Sequence, residues 1–103
     1  MSIVLIVYWK VKMGSENYLE NLLPALIKKS LSEKGCLNYS VTRSREDKSV
    51  FILLQEFIDI DAARANQLST HYKWIVEDRI APILEKSNIH VLDGLSFPQL
   101  EYS

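Results

Sequence analysis

Hydrophobic and polar positions change their period several times along this chain, and each change marks an element. Residues 3 to 12 (IVLIVYWKVK) form a β-branched and aromatic run, too short for a typical helix before Gly14, which predicts a first strand. From Ser15 the period is helical. Leu19, Leu22, Leu23, Leu26 and Ile27 fall on one stripe, Ser15 is placed to cap it, and the helix is expected to stop near Gly35. Pro24 lies inside that stripe, removes a backbone donor and predicts a kink or restart. Residues 36 to 43 (CLNYSVTR) alternate, with Leu37, Tyr39 and Val41 on one side, and read as a second strand. The polar stretch Ser44 to Ser49 turns the chain into a third, antiparallel strand over residues 50 to 57 (VFILLQEF). Asp59 or Asp61 can cap a short helix through Leu68. Thr70 can cap another running to about Leu84, ended with the help of Pro82, on which Tyr72, Ile75, Val76, Ile80 and Ile83 share a face. Residues 88 to 93 (NIHVLD) make a short fourth strand, and the tail SFPQLEYS shows no period.

The order βαββαβ predicts an α+β, ferredoxin-like fold for residues 1–103 as one domain: a four-stranded antiparallel sheet with its helices on one face. The first and third strands are central in that fold, and here both are apolar on both parities. Helices cover only one side of a sheet. The other side would be an apolar patch larger than monomers usually expose, which predicts a homodimer through the open sheet face.

Composition narrows the function classes. Twelve Lys and Arg against thirteen Asp and Glu leave no positive excess for a phosphate backbone or an anionic leaflet, which argues against nucleic-acid and membrane partners. One cysteine, Cys36, cannot form an intrachain disulfide, so the cytoplasm is the expected compartment. The apolar run Ile3 to Trp9 lacks the flanks of a signal peptide and is too short to span a bilayer. With three glycines in the chain, neither a dinucleotide fingerprint nor a phosphate loop occurs.

The segment from Leu53 to Leu84 (LLQEFIDIDAARANQLSTHYKWIVEDRIAPIL) resembles the antibiotic biosynthesis monooxygenase domain. The resemblance is carried by Glu56-Phe57 at the strand end, the Asp-Ala-Ala helix start, Ser-Thr-His-Tyr at 69 to 72, and the second strand opening GCLNYSV at Gly35. It implies a dimeric α/β barrel that oxidises a small quinol-like or polyketide-like aromatic with dioxygen, using no metal, flavin or haem. Where the family usually has a histidine five residues before His71, this chain has Asn66, which can hydrogen-bond a substrate oxygen but cannot accept a proton near neutral pH. The haem-degrading branch matches less well, since its Asn, Trp and His triad has no counterpart here.

On this resemblance His71 is the expected base, placed at a helix start where the macrodipole favours a neutral ring, and Glu56 is expected to orient it. Asn66 and Tyr72 would position the substrate oxygen, and Trp9, Tyr39, Phe57 and Trp74 would line a pocket between sheet and helices. Each residue also has a plainer reading: His71 closing a turn, Glu56 in a surface ion pair, the aromatics and Cys36 as core. A formal iron set of His71, His90 and Glu56 lacks ligand spacing, so no metal is expected. A non-catalytic small-ligand-binding or stress-associated dimer, and a small-molecule isomerase using the same base, are the alternative functions.

Overall fold

The computed structural model describes residues 1–97 and comprises β1 (Ile3–Val11), α1 (Glu16–Leu31), β2 (Cys36–Arg43), β3 (Val50–Phe57), α2 (Ile60–Gln67), α3 (Tyr72–Ile80), a 3₁₀ turn (Ala81–Ile83) and β4 (Leu84–Asp93). The strands form one antiparallel sheet in the order β2-β3-β1-β4, which is the ferredoxin-like arrangement with β1 and β3 central. Part of the tail, residues 98 to 103, lies outside the described residues. Among the described residues, no helix is long and apolar enough to cross a membrane.

Strand parity decides what faces the helices. Leu5, Val7, Trp9 and Val11 of β1, with Phe51, Leu53, Gln55 and Phe57 of β3, are buried beneath them. Register aligns these side chains into rows across the sheet: Tyr39, Gln55, Leu5 and Val91 in one, Val41, Leu53, Val7 and Ile89 in the next. The alternate parity, with Val4, Ile6, Tyr8, Ile52 and Leu54, forms a helix-free face that is apolar and only partly buried. In β2 the alternation is broken by a register shift between Cys36 and Asn38, so Cys36 and Tyr39 point inward and Leu37 is 54% exposed.

α1 buries Leu19, Leu23, Leu26 and Ser30 at helical spacing. It runs through Pro24 without a restart. Ser15 makes no side-chain cap; the Glu16 carboxylate instead accepts from the Gly14 amide at 3.1 Å, in a turn where Gly14 has φ +90°. Asp59 caps α2, its Oδ1 accepting from the Ala62 amide at 2.8 Å. The cap expected at Thr70 falls one residue earlier, where Ser69 Oγ accepts from the Tyr72 amide at 3.2 Å. The following helix stops at Ile80 rather than near Leu84, and it is wound as a π-helix whose last bond joins the Ala81 amide to Val76 O, five residues back. Its buried residues, Ile75, Val76 and Ile80, follow that looser winding. Pro82 then has no amide to extend it, and pairing of Leu84 with Val11 draws the chain into a fourth strand longer than the predicted 88 to 93.

β2 and α2 meet at Gly35, whose carbonyl accepts from the Ile58 amide at 2.9 Å. A Cβ at Gly35 would stand 2.4 Å from the Ala62 Cβ, an atom fixed to the α2 backbone. Gly35→Ala therefore has to push α2 off the sheet, and it is expected to lose about 2 kcal/mol of stability, roughly 10 °C in Tm, read by thermal circular dichroism. A Tm unchanged from the parent would show that this contact is slack.

Candidate functional site

Two hollows flank the turn between α2 and α3, and they differ in chemistry. The first is a cavity of about 460 Å³ between the sheet and the start of α3, lined by Leu5, Val7, Trp9, Tyr39, Gln55, Gln67, Tyr72, Ser87, Asn88 and Ile89. None of these side chains is charged. Burial pushes the Tyr72 phenol above its ordinary range, with the Glu77 charge adding to it, so Tyr72 stays a hydroxyl donor at neutral pH. Burial likewise pushes Tyr39 well upward. The Ser30 hydroxyl beside it offsets this in part, yet the two oxygens do not meet hydrogen-bond geometry and the Tyr39 hydroxyl has no partner.

The second hollow, about 470 Å³, is a groove on the outer side of the helices, lined by Lys29, Ser32, Thr70, His71, Trp74, Ile75 and Arg79. His71 opens here and not into the cavity. Its Nε2 lies 2.6 Å from Glu33 Oε2 at the end of α1, so in the neutral ring Nε2 donates and Nδ1 is the basic nitrogen. Asn66, 1% exposed, donates from Nδ2 to the same Glu33 oxygen at 3.0 Å and to Ser30 Oγ at 3.1 Å. Ser69 Oγ donates to the Asn66 carbonyl at 2.6 Å while capping the next helix. This network ties α1, α2 and α3 together and fixes the backbone from which Tyr72 reaches the cavity.

The residues singled out by sequence are thus divided between separate places. Trp9, Tyr39 and Tyr72 share the cavity. Glu56 does not orient His71: it sits on the helix-free parity opposite Val4, where its carboxylate accepts from Ser2 Oγ at 2.7 Å. Glu33 holds the imidazole instead. Asn66 spends both amide hydrogens within the helical layer and does not line the cavity. Phe57 is fully buried core, and Trp74 is 57% exposed on the outer groove. Glu33, Gln55 and Gln67 were not singled out by sequence. For Gln55 a partial signal existed, since it and Glu56 are the two polar residues of an otherwise apolar strand.

The sequence profile of the antibiotic biosynthesis monooxygenase family matches residues 2–78, most of the chain and all of the elements that build both hollows except β4 and the end of α3. The chain belongs to this family. The crystal structure of a conserved Methanosarcina mazei protein is similar to it at 26% identity, covering 89% of this chain and 91% of that one, with a TM-score of 0.84. A Pseudomonas aeruginosa protein aligns at 26% identity over 92% of this chain and 95% of its own, with a TM-score of 0.85. A protein described as a candidate antibiotic biosynthesis monooxygenase from Nitrosomonas europaea shares the fold at 22% identity, covering 91% and 90%, with a TM-score of 0.87. No curated protein matches the sequence. In this member of the antibiotic biosynthesis monooxygenase family, Asn66 is a buried group that ties the helices together.

Proposed function

We propose that this protein is a monooxygenase that oxidises a small quinol-like or polyketide-like aromatic with dioxygen and no cofactor, in the cavity between sheet and helices. The uncharged, aromatic-walled hollow carries this reading: its volume suits a guest of two or three fused rings, and its lining suits a neutral one. A ring CH₂ flanked by carbonyl or phenol groups passes a proton to water at the open mouth of the hollow, and the resulting carbanion passes an electron to O₂. Recombination forms the C–O bond. The peroxide takes up a proton and its O–O bond breaks, so that CH₂ plus O₂ gives C=O plus H₂O. Trp9 and Tyr39 would hold the ring, Tyr72 would donate to the developing oxyanion, and the helices would keep out water. A second copy packed on the helix-free face, completing a homodimer, would shelter the other side of the central strands.

No lining side chain accepts a proton near neutral pH, so the substrate's own acidity starts the reaction and His71 acts as a positioning residue. Oxygen uptake with a panel of anthrones and quinols is expected to exceed the uncatalysed rate, and His71→Ala, assayed below its melting temperature, is expected to keep the rate within about tenfold. A loss of a hundredfold or more would restore His71 as general base. The missing proton acceptor also favours a second reading, a module that binds the same class of aromatic without turning it over. Binding with oxygen uptake at background for every compound would establish that reading over the first.

A further inference from the structure

Of the helix-facing positions on the two central strands, from Ile3 to Val11 and from Phe51 to Phe57, one is polar: Gln55. It is 5% exposed, sits in the row between Tyr39 and Leu5, and lines the cavity. No described residue hydrogen-bonds its side-chain amide, and that amide is not sealed from the hollow, since the Tyr39 hydroxyl is the one sealed and unpartnered side-chain atom among the described residues. An amide this deeply set reaches hydrogen-bond partners only through the hollow, and a leucine of similar size would fit the row without needing any. The amide presents a donor, Nε2, beside an acceptor, Oε1, on a rigid strand with its free edge toward the guest.

We infer that Gln55 determines the specificity of this cavity and that its guest is an uncharged aromatic with a hydrogen-bond donor and acceptor on adjacent ring atoms, as in a catechol-type diol. The inference rests on the cavity being the binding site, as proposed above. One hydroxyl of such a diol donates to Oε1 while its neighbour accepts from Nε2, closing a ring of two hydrogen bonds. Trp9 and Tyr39 flank the aromatic plane. A carboxylate guest is disfavoured, because no cation lines the hollow to replace its hydration.

The test is isothermal titration calorimetry of the full chain in oxygen-free buffer with naphthalene-2,3-diol, 2-naphthol and 2,3-dimethoxynaphthalene. The parent is expected to bind the diol roughly tenfold to a hundredfold more tightly than the dimethyl ether, with 2-naphthol between them. Gln55→Leu is expected to bind all three within about threefold of one another and to melt no lower than the parent, a pattern that a structural glutamine would reverse. Gln55→Met, which keeps the side chain's length, serves as the second variant and is expected to behave likewise. The inference is overturned if the parent does not discriminate diol from ether, if it binds none of the three, if either variant keeps the discrimination, or if both variants melt well below the parent. Because oxygen is absent, intact discrimination together with failed oxygen uptake would sink the oxygenase reading and leave this one standing.

Discussion

In Phe57→Ala the free energy of unfolding falls by about 4 kcal/mol. Phe57 closes the end of β3 with no exposed surface, pairs with Ile3 on one side and Cys36 on the other, and touches neither hollow. Removing its ring forfeits the transfer energy of the lost carbons and leaves a void that a twisted sheet under two helices can only partly close. Against the few kcal/mol by which a domain of this size is folded, that is a large fraction. Urea denaturation at fixed protomer concentration should show the midpoint falling at constant m-value. Affinity of the folded fraction for naphthalene-2,3-diol should stay at the parent value. The opposite pattern, weak binding with parental stability, would return Phe57 to the cavity wall expected from sequence.

The second large effect belongs to Glu33. Its Oε2 accepts from both His71 Nε2 and Asn66 Nδ2, and the His71 and Glu33 side chains are 17% and 22% exposed. Glu33→Ala leaves a buried amide and a largely buried imidazole without their shared acceptor, so a loss of about 3 kcal/mol is expected, more than a surface ion pair supplies. Glu33→Gln keeps an acceptor oxygen and should fall between. Combined with His71→Ala in a double-mutant cycle, Glu33→Ala should show a coupling above about 1 kcal/mol. Strict additivity would mean that the two side chains do not support one another. Oxygen uptake and stability should fall together here, because the network sets the backbone from which Tyr72 enters the cavity.

Element order, strand count and the open sheet face were legible in the pattern of the chain, because alternation in β2 and helical spacing in α1 leave few other topologies. The site was less so, for reasons that can be named. β1 and β3 are apolar on both parities, so nothing in VFILLQEF tells whether Gln55 or its neighbour Glu56 faces the helices, and reactivity alone points to the carboxylate. Glu33 is 38 residues from His71, and their pairing depends on how α1 packs on α3. The outward turn of Leu37 needed the bulge at that residue, which is left out of the pairing while Cys36 and Tyr39 on either side face inward. Winding by five-residue bonds after Tyr72 has no composition of its own, so apolar spacing alone carries the last helix on to Leu84.

The two tryptophans sit in opposite settings: Trp9 is 5% exposed at the cavity wall, and Trp74 is 57% exposed with the Arg79 guanidinium 5.8 Å from its ring centre. Their light emission is expected to separate accordingly, with a blue-shifted component from the sheltered indole and a red-shifted one from the wet indole that acrylamide quenches. Occupancy of the inner hollow and events on the outer helical surface can therefore be followed independently in the unlabelled protein.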